Sequence, residues 1–136
     1  MNAANILKLH NIKKTPARLA IIEAIGEEKR PLSELEIKAH MGDTYDRITF
    51  YRNMQTLATS GIVHKIVVNN TVVKYGLNCC DSGHVHKNEH AHFYCESCDD
   101  VTCMNDIKIP SFALPEGFAL ADSDIIIKGK CKKCNH

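Results

Sequence analysis

Two Cys-x-x-Cys pairs, Cys95–Cys98 and Cys131–Cys134, are separated by 32 residues in a chain of 136. Four thiolates supply the whole tetrahedral set that Zn2+ takes in structural sites, with no position left for water or substrate. The chemistry they offer is a staple, not a catalytic centre. The interval is longer than in a zinc ribbon, so short strands at "FYC", "DVTCM" and "SDIIIKGKC" are expected to bring the pairs together. A half-chain this small and poor in aromatic residues needs such a staple. Zinc binding of this kind contributes an apparent ~10–16 kcal/mol, comparable to the stability of a whole domain.

The ligand-type residues of interest once that set is complete are His64, Cys79, Cys80, His84, His86, His90, His92 and Cys103. In an extended segment, residues i and i+2 point to one face, so His90 and His92 can meet one ion, with Cys103 on a neighbouring strand as a natural third ligand. Thiolate plus imidazole suits Zn2+ better than Fe2+ or Mn2+, which favour oxygen donors. If His64 or Cys79 joins in, the second site draws on both halves of the chain and would lock their relative orientation. That is the physical basis of a switch.

The first half must position something else. Thr15-Pro16 opens one helix as N-cap and first helical residue, with "RLAIIEAI" as its apolar face. Ser33-Glu34-Leu35-Glu36 is a capping box for a second helix, which stops near Met41-Gly42. A third runs from about Asp46 to Ser60, with Gly61 as its stop. Phe50, Met54, Leu57 and Ala58 of that helix are expected in a core. Thr49, Arg52, Asn53 and Thr56 form a hydrogen-bonding stripe. "IVHKIVVNNTVVKYGL" then reads as a hairpin turning at Asn69-Asn70, because Asn tolerates positive φ.

Three helices followed by a hairpin is the order of a winged helix-turn-helix, whose third helix enters the major groove of DNA. Tyr51 and Arg52 on that helix, with Lys13, Lys14 and Arg18 upstream, favour DNA binding over a merely solvated face. Charge agrees: residues 1–77 carry eleven Lys/Arg against seven Asp/Glu, and residues 78–136 carry six against nine, together with all seven Cys. The opening "MNAANILKLHNIKK" lacks the apolar run of a signal peptide or membrane span, so a cytoplasmic protein with reduced thiols is expected.

The segments "KKTPARLAIIEAI", "ITFYRNMQTLATSGIVHKI", "HAHFYCESC" and "GKCKKC" resemble, in order, those of the ferric uptake regulator superfamily of bacterial metal-dependent repressors. The resemblance implies an α+β protein: a winged helix-turn-helix over 1–78, a hinge and sensory loop over 79–90, and a small zinc-stapled α/β dimerisation domain over 91–136. It implies a homodimer that binds double-stranded operator DNA when loaded with metal and represses metal-uptake genes. Tyr51 and Arg52 match its DNA-contacting pair, and Arg18 lies near a phosphate-contacting Arg. Cys95, Cys98, Cys131 and Cys134 match its structural zinc positions, and His90 and His92 its paired sensory histidines.

Departures from the family's iron sensors concern the second metal. Pro31 stands where those carry His, and Gly76 and Cys103 stand where those carry carboxylates. His64, with Cys79 or Cys80, resembles the ligands of the zinc uptake branch. The implied sensory set is His64, Cys79 or Cys80, His90, His92 and Cys103, one of the five not binding, with Zn2+ favoured over Fe2+. Pro110 and Pro115 also interrupt the stretch where the family carries a longer dimerisation helix.

Three alternatives accompany this reading. One is an iron sensor, and another is a thiol redox switch at Cys79-Cys80 or Cys103. The last is a zinc hydrolase built on "HKNEH", residues 86–90, a motif that works only on a helix. No small-molecule substrate and no membrane partner are expected.

Overall fold

The computed structural model describes residues 2–78, 90–108, 110–121, 123 and 125–135, with the backbone alone at 90, 105 and 108. The chain divides into two compact units, 1–87 and 88–136, the boundary falling inside the stretch expected as a hinge. Residues 79–89 of that stretch lie outside the described residues.

In the first unit the order is α1 (Ala3–Leu9), α2 (Pro16–Glu28), α3 (Glu34–Met41), a 3-10 turn (Gly42–Thr44), α4 (Arg47–Thr59), β1 (Val63–Val68) and β2 (Val72–Leu77). Each expected helix starts at its cap. The side chains of Thr15, Ser33 and Asp46 accept from the backbone N–H of Arg18, Glu36 and Thr49, satisfying donors a helix start leaves orphaned. The Ser33/Glu36 capping box is complete in both directions. Helix α1 is an addition to the three helices expected; it is seven residues long, is capped by Asn2, and buries Ile6 and Leu7.

The wing is an antiparallel pair in which Val63 faces Leu77 and Val68 faces Val72. Asn69 and Asn70 both take positive φ, 55° and 60°, as the turn requires. Leu32 and Tyr75 exchange backbone hydrogen bonds of 2.9 and 2.7 Å, tying the α2–α3 connection to the wing. Phe50 of α4 is wholly buried, and the Tyr75 ring meets it edge-on at 5.9 Å. Helix α4, expected to read DNA, and the wing behind it therefore share one core with Leu7, Ile21, Ile25, Ile37, Leu57 and Ile62.

One expectation for α4 is corrected. Ala58 is exposed and Asn53 is buried at 8% exposure. The apolar face follows Phe50, Met54 and Leu57, and Asn53 completes it because an Arg18 side chain meets its amide within that layer.

In the second unit β3 (His90–Cys95) lies between antiparallel β4 (Val101–Lys108) and parallel β5 (Ile126–Gly129). These are the three short strands expected around the Cys pairs. Among the described residues this unit contains no helix, so the α+β character comes from helices in the first unit and strands in both. Residues 110–121, which include Pro110, Pro115 and Gly117, form no helix or strand, and Phe112, Leu114, Phe118 and Leu120 are exposed. Proline removes a donor and restricts the residue before it, which is why helix does not propagate there. Among the described residues no helix is long and apolar enough to cross a membrane.

Candidate metal centres and DNA-reading surface

The two knuckles meet at the C-terminal ends of the parallel strands β3 and β5. Cys95 ends β3, and its N–H donates to the Asp100 carbonyl while its carbonyl accepts from Asp99 N–H, both at 2.9 Å. Asp99 sits at φ 64° and accepts from the Tyr94 hydroxyl at 2.5 Å, so the turn Cys95–Asp99 is held from both sides. The second knuckle follows β5: Cys134 and Asn135 N–H donate to the Cys131 carbonyl at 3.0 and 2.9 Å, and Cys131 N–H donates to Cys95 Sγ at 3.3 Å.

The four sulfurs lie within 4.8 Å of one another, with Cys98 Sγ and Cys131 Sγ 3.8 Å apart. A tetrahedron with metal–sulfur bonds of about 2.3 Å has edges of about 3.8 Å, so the set fits zinc. Its electrostatics fit too. The Cys131 N–H, with those of Cys98 and Ser97, pulls the Cys95 thiol down to about 6 against its burial. The neighbouring Cys131 and Cys95 sulfurs push Cys134 up to about 12. Packed sulfurs cannot all ionise beside one another; a divalent cation among them supplies the charge that lets them do so.

His92 and Cys103 face each other across β3 and β4. The imidazole is 4% exposed, and burial pushes the Cys103 thiol up to about 11. This is a nitrogen–sulfur pair, the imidazole buried and the thiol half-buried, a donor set suited to a borderline-soft ion. The backbone of His90 is in β3, with an irregularity in the ladder between His90 and Ala91. Cys79, Cys80, His84 and His86 lie outside the described residues, as does most of the "HKNEH" stretch. His64 is in the first unit, on β1, 7% exposed and directly opposite Gly76 of β2.

On the first unit, Thr49, Tyr51 and Arg52 are exposed on α4, with Thr56 half-buried and its hydroxyl donating to the Arg52 carbonyl at 3.2 Å. Lys13 and Lys14 are exposed ahead of α2. Arg18 spans the two helices: its Nε donates to Asn53 Oδ1 at 3.0 Å and its Nη1 to the Lys13 carbonyl at 2.7 Å. Asn53 therefore sits behind the stripe and holds Arg18. Sequence reading missed Glu34, whose carboxylate accepts from the Tyr51 hydroxyl at 2.5 Å and also from Tyr45. It also missed Arg47, whose guanidinium lies 6.0 Å from the Tyr51 ring centre. Nothing local marks Glu34 for this role, because its partners are 11 and 17 residues away.

The sequence profile of the ferric uptake regulator family matches residues 10–127. The chain belongs to that family. Its members are metal-responsive, DNA-binding transcription regulators and not enzymes, which sets the hydrolase alternative aside. No curated protein sequence matches the chain. Among solved structures it is similar to a zinc uptake regulator complexed with zinc and DNA, at 22% identity and a TM-score of 0.70, over 97% of this chain and 89% of that one. It is similar to the Francisella tularensis ferric uptake regulator with iron, at 20% identity and a TM-score of 0.61, over 92% and 96%. A zinc-bound manganese uptake regulator matches at 15% identity and a TM-score of 0.64, over 96% and 99%. At these identities the likenesses establish the ferric uptake regulator fold.

Proposed function

We propose that this ferric uptake regulator family member is a zinc-responsive repressor, cytoplasmic and homodimeric, that binds operator DNA and silences metal-uptake genes. The observation that carries the choice of metal is the pairing of buried His92 with half-buried Cys103 across β3 and β4, in which a thiol stands among the candidate sensory ligands. His64, His90 and one of Cys79 and Cys80 complete the proposed set. A solved relative complexed with zinc and DNA supports the reading.

The residues divide the work. Tyr51, Arg52, Thr49 and Thr56 present donors and acceptors to base edges, and Lys13, Lys14 and Arg18 meet phosphates. Asn53 orients Arg18. Binding at the sensory site requires Cys103 to release its proton and His92 to remain neutral, which ties metal affinity to pH. Metal binding at the sensory site shifts the dimer toward a state that presents two reading helices one DNA turn apart, roughly 34 Å, as a palindromic operator requires. Shifting such an equilibrium from 1:99 to 99:1 needs about 5.5 kcal/mol of differential binding, within reach of a zinc site. The exposed Phe112, Leu114, Phe118 and Leu120 offer the apolar surface a homodimer would cover.

Metal counting tests the assignment. Chelator-treated protein is expected to keep one zinc per chain and to take up a second, exchangeable zinc that Cys103→Ser or His92→Ala removes. A second zinc that binds both variants as tightly as the parent would refute the sensory set.

A further inference from the structure

His64 and Gly76 are direct partners in the wing ladder, and the imidazole lies over the glycine. A Cβ at position 76 would stand 2.9 Å from His64 Cε1, 3.2 Å from Nε2 and 3.4 Å from Pro31 Cγ. Carbon atoms that are not bonded make their best contact at about 3.5–4.0 Å, so a methyl group there overlaps the ring. Gly76 has no positive φ, so backbone conformation does not require glycine at this position. What requires it is the imidazole. His64 is 7% exposed, and its ring occupies the volume that any other residue at 76 would fill.

We propose that Gly76 is a positioning residue for the sensory metal site: it admits the His64 imidazole, and a side chain at 76 and a ligating His64 exclude each other. The inference rests on the proposed role of His64 as a sensory ligand. The atom in the way is the far end of a rotatable side chain, while Pro31 on the other side is a ring closed onto its own backbone. Relief from a Cβ at 76 therefore comes from rotation of the imidazole out of place. Every residue from 63 to 68 has a partner on β2, so the wing ladder is expected to survive that rotation. Two positions twelve apart in sequence thus act as one determinant.

The test combines Gly76→Ala, His64→Ala and the double variant, each in the full chain with its structural zinc. Three readouts are taken: affinity for Zn2+ at the exchangeable site, the imidazole NMR resonances of His64 before the exchangeable zinc is added, and thermal unfolding. Groups that orient a metal ligand typically change affinity 10–100-fold when lost. Gly76→Ala is expected to weaken the exchangeable zinc by about that factor and to shift the His64 resonances before that zinc is added. His64→Ala should weaken it at least as much. Adding Gly76→Ala to His64→Ala should cost no further affinity and no further stability, since the ring that it displaced is gone. If Gly76→Ala leaves zinc affinity and the His64 resonances unchanged while His64→Ala weakens zinc, the positioning role is wrong and the ligand role stands. If His64→Ala leaves zinc affinity unchanged, the ligand role itself falls, and the positioning role with it.

Discussion

Glu36 joins three parts of the DNA-binding unit, and its replacement by Gln is predicted to weaken them together in a pH-dependent way. Its Oε2 accepts from Arg30 Nη2 at 2.6 Å, and its Oε1 accepts from Ser33 N–H at 3.1 Å and lies 3.3 Å from Lys74 Nζ. Lys74 belongs to the wing and is only 8% exposed. Partial burial works to raise the Glu36 carboxyl, but the Arg30 guanidinium, the Ser33 N–H and the Lys74 ammonium outweigh it and hold the group down to about 2, from an ordinary 4.5. A carboxyl depressed in the folded state stabilises that state above its unfolded value, and the contribution is lost as pH falls through the folded value. The shift corresponds to at most about 3 kcal/mol at neutral pH. The side chain is 32% exposed, so solvent screening reduces that to about 1–2 kcal/mol. Urea unfolding followed by helical circular dichroism reports this unit, because all the described helices lie in it. Glu36→Gln should destabilise the protein by about 1–2 kcal/mol at pH 7 and by less than half of that at pH 3, where the unfolded carboxyl is already protonated. An equal loss at both pH values, or none at pH 7, would refute the ion-pair account.

Other substitutions separate the two units. Cys95→Ser or Cys131→Ser is expected to reduce the zinc retained after chelation from one per chain to none, and to remove amide protection from β3 and β5 while the helical signal persists; metal analysis and hydrogen exchange check this. Arg52→Ala should weaken operator binding, read by titration, without changing zinc content. Arg18→Ala and Asn53→Ala should each weaken operator binding, and the double variant should lose less than the sum, because Asn53 acts through the 3.0 Å bond to Arg18. Additive losses would mean that Asn53 contacts DNA by itself.

What was legible in the sequence was local. Three helix starts were written in Thr15-Pro16, the Ser33–Glu36 box and Asp46, since a cap and its partner lie within three residues. The Asn69-Asn70 turn and the Cys-x-x-Cys knuckles are equally short-range. What escaped is set by partners distant in sequence. Asn53 is buried because Arg18, 35 positions away, meets it, and helical periodicity alone placed it among the readers. Ala58 is small enough to sit on either side of an apolar boundary. Helix α1 offers seven residues, too few for a periodic signal to stand out. The Gly76 departure reads in sequence as the loss of a carboxylate; beside His64 it is the space the imidazole occupies.

The central claim is that zinc switches DNA binding. Fluorescence anisotropy of labelled DNA from the promoter of the protein's own gene, titrated with protein at buffered free Zn2+, then Fe2+ and Mn2+, tests it most directly. The account predicts operator binding that rises with occupancy of the exchangeable zinc site and is lost in His90→Ala/His92→Ala. Binding switched on by Fe2+ with zinc inert, or binding indifferent to every metal, would contradict it.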